Sequence, residues 1–309
     1  MGTLESAMSA VIAAPSLPEP REIDVAGINT RYYDIGDGPE TIVFIYGGSF
    51  GVPDATSSAY AWNMNVRALA QKYRVIAFDK LGQGYTDVPR RDEDYTMGAV
   101  VRHVCAFMDA LKLPASHLVG HSRGGFVATR VALERPDLTR SLSIVTSGTL
   151  GPGVGTNEVV LASPPHAPLT REAVRWVYSN YCYKPSTVTE DWVDVVMDVL
   201  QQPNYQKGVA KIIGEQLGIR LFLPDLARMK RETLTWLNEG RLQRPVQIIW
   251  GFNDRTVVVE RGMELFNILA AHERRVTLNL FNQSGHFPYR EHPERFNALL
   301  DRFVDLYKA

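Results

Sequence analysis

Cysteine is scarce, with Cys105 and Cys182 the only two among 309 residues. That excludes a disulfide framework, and neither belongs to a CxxC pair or a Cys/His cluster of metal-ligand spacing, so no metal is expected. A reducing cytoplasm is the compartment this implies. Excess charge of one sign is also missing: 33 Lys+Arg stand against 34 Asp+Glu, a net charge of −1. Neither a basic nucleic-acid footprint nor a polyacidic tail is present. Long apolar runs are lacking too, and none nears the roughly 18 residues of a membrane span. Residues 1–20 hold a short apolar stretch around Met8 to Ala14 that has no basic flank, is broken by Ser9 and ends at Pro15. It reads as a disordered tail rather than a signal peptide.

What remains is ordinary globular composition, 45% hydrophobic and 22% charged, able to bury a large core. After a hairpin signal at Gly27-Ile28-Asn29, short apolar runs bounded by Gly or Pro recur: Thr41–Tyr46, Tyr73–Asp79, His117–His121, Ser141–Thr146, Val246–Trp250 and Val276–Phe281. Such runs fit strands buried on both faces. Between them, 59–71, 97–111, 122–134, 260–271 and 293–307 place apolar residues at i, i+3, i+4, the period of an amphipathic helix. Alternating strands and helices give an α/β class with a mostly parallel central sheet flanked by helices. From 150 to 244 the rhythm stops, and only a Gly/Pro-rich entry and four helical segments are legible. A helical block that long, set between two strands, is expected to be an inserted cap on a core formed by 21–149 and 245–309.

The sharpest motif is Gly120-His121-Ser122-Arg123-Gly124, a G-x-S-x-G at the end of a strand and the start of a helix. A serine hydroxyl is a poor nucleophile unless it is held exposed beside a base, and a tight strand-to-helix turn does that. The helix N-terminus behind it favours an oxyanion. Of the seven histidines only His286 sits in a loop after the last strand run; His121 adjoins the serine at a sharp turn and is expected to line the pocket. The orienting acid is Asp254, which follows VQIIW and falls between serine and histidine in the chain. Oxyanion donors are expected at the N–H of Arg123 and in the Gly47-Gly48-Ser49 loop, with Gly48 preferred and Gly47 its near alternative. Ser49, Phe287 and Trp176 join His121 and Gly47 as pocket candidates.

GHSRG, the Gly47-Gly48 loop, FDKLGQGYTD, WGFNDRTV and SGHFPYREHPERFNALLDRFV together resemble the α/β-hydrolase fold superfamily, over nearly all of the chain from about residue 22. The resemblance implies acyl-type nucleophilic chemistry with no metal or organic cofactor, a small-molecule substrate, neither nucleic acid nor membrane as partner, and a homodimer as a common assembly. Within the superfamily the chain is similar to the meta-cleavage product hydrolases, which cut a carbon–carbon bond in 2-hydroxy-6-oxohexa-2,4-dienoates during aromatic degradation. The features that carry this are Ser122-Arg123-Gly124-Gly125, a helical cap with TEDW and QQP, and GHFPYREHPERFN. Three positions depart: His121 stands where that family has Asn, Phe287 where it has Trp, and Val195 and Val196 near where it has a carboxylate-binding arginine. Arg175, Lys184, Lys207, Lys211 and Arg220 are the cap cations that offer a substitute. C–C hydrolysis is therefore the first expectation, and a carboxylesterase or lactonase with the same triad the second. A non-catalytic ligand receptor on this scaffold is the third. A serine nucleophile separates the chain from dehalogenases and epoxide hydrolases, which use a carboxylate.

Overall fold

The computed structural model describes residues 16–48, 56–153 and 163–309. Its strands are β1 (Arg21–Val25), β2 (Ile28–Ile35), β3 (Thr41–Ile45), β4 (Arg74–Phe78), β5 (Ser116–His121), β6 (Thr139–Val145), β7 (Val246–Gly251) and β8 (Val276–Phe281). They form one sheet in the order β1-β2-β4-β3-β5-β6-β7-β8. The β1–β2 hairpin and the β2–β4 pairing are antiparallel, and every later pairing is parallel.

Period-two alternation decides which face each side chain serves. Ile42, Phe44, Val75, Ala77, Val119 and Ile249 pack on one side with Trp62, Val66, Phe296, Leu300 and Val304. Those helical partners come from α1 (Asn63–Leu69), the turn before it, and the C-terminal helix Pro293–Leu306. Val43, Ile45, Ile76, Phe78, Ile248 and Trp250 point the other way, onto Val104, Phe107, Phe126, Val131, Leu265 and Leu269. Their partners lie on α2 (Met97–Ala110), α3 (Arg123–Glu134) and the helix Val259–Ala270. Both faces of the central strands are covered, so β3 and β5 are buried at every residue.

Between β6 and β7 the described chain is helical: α4 (Arg171–Tyr181), α5 (Glu190–Gln201), α6 (Pro203–Gly214) and α7 (Leu223–Asn238). Local signals set the starts. The Thr170 hydroxyl accepts from the N–H of Ala173 and the Thr189 hydroxyl from that of Trp192, while Pro203 opens α6, where a missing N–H costs nothing. The helices Val259–Ala270, Pro288–Glu291 and Pro293–Leu306 follow as α8, α9 and α10. Among the described residues no helix is long and apolar enough to cross a membrane.

Candidate active site

Ser122 follows β5 at φ +52°, ψ −124°, backbone that a non-glycine residue adopts only when its surroundings enforce it. The enforcement is visible. The Ser122 N–H donates to Val145 O at 2.9 Å, its carbonyl accepts from Gly125 N at 2.9 Å, and the Ser147 hydroxyl donates to the same carbonyl at 2.6 Å. A Cβ on Gly124 would lie 2.1 Å from Ile45 O, so only glycine lets α3 start this close to β3. Ser122 stands at the N-cap of α3, yet its side chain makes no capping bond. The hydroxyl is left for other chemistry.

His286 and Asp254 come from the loops after β8 and β7. Nδ1 of His286 lies 2.7 Å from Asp254 Oδ2, and both side chains are buried. The other carboxylate oxygen, Oδ1, accepts from Thr256 N at 2.8 Å, the Thr256 hydroxyl at 2.6 Å and Val257 N at 3.0 Å. Three donors thus fix the carboxylate and leave Oδ2 to the imidazole. That contact directs His286 Nε2 away from the acid.

His121 ties this pair to the serine. Its Nε2 lies 2.9 Å from the carbonyl of His286, which has no proton to give, so Nε2 carries the hydrogen. Its ring sits 4.7 Å from the His286 ring, and Tyr289 Oη lies 3.4 Å from its Nδ1. Burial first, and then His286, hold its pKa well below the imidazole range. His121 is a buried, neutral strut beside the site. Thr146 donates to the same His286 carbonyl at 2.9 Å, and Tyr181 at the end of α4 accepts from the His286 N–H at 2.7 Å.

Gly47 lies against the nucleophile: a Cβ there would stand 2.8 Å from Ser122 Cβ. Its neighbour Gly48 follows with φ +78°. Ser49 lies outside the described residues. Phe287 is buried in an aromatic cluster, with ring centroids 5.2 Å from His121, 5.1 Å from Trp192 and 5.7 Å from Tyr178. Trp176 is half-buried at the margin of the same cluster. Arg290 lies over Trp192 at 3.9 Å and donates to Ala61 O at 3.0 Å and Asn63 Oδ1 at 2.8 Å.

The five cap cations weighed for a carboxylate face elsewhere. Arg175 pairs with Glu190 on an exposed flank, Lys211 pairs with Asp92, Arg220 donates to Glu215 O, and Lys184 and Lys207 are exposed. Val196 is buried and Val195 half-buried, and both border a small crevice with Tyr60, Ala61, Trp192 and Val199.

Three residues escaped the sequence reading. Thr256 clamps Asp254, and Tyr289 supports His121. Lys80 is fully buried, and its Nζ donates to the carbonyls of Gly47 at 2.9 Å and Gly48 at 3.1 Å. Lys80 sits within the FDKLGQGYTD motif, which was the one signal available for it.

A sheet with this order, a strained serine between β5 and α3, and an Asp–His pair on the loops after β7 and β8 define a hydrolase of the α/β type. The sequence profile of the alpha/beta hydrolase family matches residues 42–299, and the chain belongs to that family. It is 26% identical over 285 residues to the 2-hydroxy-6-oxononadienedioate/2-hydroxy-6-oxononatrienedioate hydrolase of Paraburkholderia xenovorans (strain LB400), covering 90% of this chain and 91% of that one. It is 27% identical over 290 residues to the 2-hydroxymuconate semialdehyde hydrolase of Pseudomonas sp. (strain CF600), covering 92% and 93%. Among solved structures, the meta-cleavage product hydrolase of Pseudomonas fluorescens IP01 superposes with a TM-score of 0.74 at 26% identity, covering 92% of this chain and 97% of that one.

Proposed function

We propose that the chain hydrolyses a small, largely apolar carbonyl compound through Ser122, His286 and Asp254, with C–C cleavage of a 2-hydroxy-6-oxohexa-2,4-dienoate-like substrate as its reaction. The observation that carries the proposal is the buried 2.7 Å Asp254–His286 contact, held by His121 next to the strained Ser122. Ser122 Oγ attacks the ketone carbon while His286 Nε2 takes its proton. The N–H groups of Arg123 and Gly48 receive the oxyanion. Collapse expels carbon only if the departing electron pair is delocalised, so the dienol must first become its keto tautomer, whose enone accepts that pair. The His286 imidazolium returns its proton to the departing dienolate, and water then releases the acid from Ser122 with His286 again as base. The helices 150–244 act as the cap over this site, and the Phe287, Tyr178 and Trp192 rings supply an apolar wall.

Ester or lactone hydrolysis is the second reading, and one observation favours it. The cap cations that would meet a dienoate carboxylate are exposed or already paired, and Val195 and Val196 occupy the crevice beside Trp192. The test is loss of dienoate absorbance beside chromophore release from a short acyl ester, for wild type and Ser122→Ala. Ser122-dependent bleaching establishes the first reading. Ester turnover with an untouched dienoate establishes the second.

A further inference from the structure

We propose that Lys80 is the positioning residue that aims the Gly47-Gly48 peptides, turning the Gly48 N–H toward Ser122; the inference rests on the acyl-transfer reading above. Lys80 follows β4. Its Nζ lies 4.6 Å from the centroid of the Tyr46 ring, just past the end of β3, and donates to two successive backbone carbonyls, at 2.9 Å and 3.1 Å. None of the described peptide bonds is cis, so each N–H points opposite to the C=O of its own peptide. The carbonyl of Gly47 shares a peptide with the N–H of Gly48. Sheet order places β3 between β4, which delivers Lys80, and β5, which delivers Ser122. Drawing the Gly47 carbonyl to the β4 side therefore turns the Gly48 N–H to the β5 side. The Gly48 carbonyl is drawn the same way, so neither oxygen faces the charge that develops on a substrate bound to Ser122.

The loop needs such a clamp because of its sequence. Glycine at 47 is required for the approach to Ser122, where a Cβ would stand 2.8 Å away, and Gly48 holds φ +78°. Two glycines in succession also leave their peptide planes free to rotate, since both signs of φ are accessible to each. A flipped Gly47–Gly48 peptide would present an oxygen to the oxyanion and remove a donor. Burial, followed by the charge of Arg123, holds the Lys80 pKa well below the ordinary lysine range. Even a neutral amine has two N–H groups for the two carbonyls, so the clamp persists in either protonation state.

The test is Lys80→Met, which keeps the length and loses the donors, with Tm measured alongside. A boronic acid that adds to Ser122 reports oxyanion stabilisation, and a non-reactive substrate analogue reports ground-state binding. The expected result is a fall of about 100-fold in kcat and in boronic acid affinity, with KM and analogue affinity within about threefold of wild type. Lys80→Arg, which restores two donors, should recover part of the loss. If Lys80→Met fails to fold, Lys80→Leu, which also lacks donors, undergoes the same measurements, with the same split expected. A folded variant with unchanged kcat and boronic acid affinity would overturn the proposal, as would equal losses in boronic acid and analogue binding. Ser122→Ala separates the two levels. Activity that survives it removes the acyl-transfer reading itself, whereas a dead Ser122→Ala beside a fully active Lys80→Met removes only the role of Lys80.

Discussion

The sheet-borne half of the site and the helical block above it are built by different means. Below, Ser122, Asp254 and His286 are held by backbone hydrogen bonds and glycine contacts that admit few alternatives: Val145, Gly125 and Ser147 fix the serine, while Thr256 and Val257 fix the acid. Above, α4 and α5 contribute Tyr178, Trp192 and Val196, joined by apolar contact that tolerates exchange of one shape for another. The difference teaches where chemistry and selectivity reside. Polar constellations fail when one donor is displaced by an ångström, so under the proposed function the lower half would set the reaction and the packed upper half the molecule that undergoes it.

The largest break in this contrast is Ser122→Ala, for which we expect a loss of about 10⁴-fold or more in kcat and no labelling by a fluorophosphonate. Asp254→Asn should lower kcat by about 10³- to 10⁴-fold with KM little changed, as steady-state kinetics will report. Acid provides a third probe, because the buried histidines His103, His117, His121 and His286 all lie in the sheet-borne half, whereas His166 of the insertion is exposed. Burial lowers the pKa of His103 from 6.5 to about 4. The unfolded chain takes up that proton below about 6.5 and the folded chain refuses it until about 4, so this contribution is present at neutral pH and is lost as pH falls through the window. It amounts to roughly 3 kcal/mol by pH 4. Asp79, raised to about 6 by burial, runs with the opposite sign, so the comparison is denaturant unfolding of wild type against His103→Gln at pH 7 and pH 4.5. The variant should lose less stability between the two.

Thr256→Val should cut kcat by about tenfold and cost about 1 kcal/mol, since it removes one of the three donors on Asp254 Oδ1. The smallest effect is expected above. Val195→Ala should shift the preference among acyl chain lengths by a few-fold while leaving the fluorophosphonate labelling rate unchanged. A labelling rate that falls with it would erase the division between the two halves.

The same division explains what could be read in advance. GHSRG, WGFND and SGHF marked Ser122, Asp254 and His286 as candidates because each joins a reactive residue type to glycine at a strand end, and strands and helices fell within a few residues of their expected spans. α1 starts at Asn63 rather than Ala59, because Ser58 accepts a hydrogen bond from the Tyr60 N–H and a turn of 3₁₀ helix comes first. Lys80 escaped because its partners are backbone carbonyls made neighbours by folding, which leave no spacing to recognise, and Thr256 because an Asp with a Thr two residues on is common in ordinary turns. The role of His121 was half visible: its place beside Ser122 was evident, but its hydrogen bond to the carbonyl of His286 depends on a loop 165 residues away.

Trp192 has a further use. Its indole lies between the guanidinium of Arg290 at 3.9 Å and the ring of Phe287 at 5.1 Å, on the helix that borders the crevice. Indole emission is sensitive to nearby charge and to water, so the residue doubles as a built-in optical gauge of what enters that crevice. Time-resolved fluorescence of a variant that keeps this tryptophan alone would follow ligand entry without any added label.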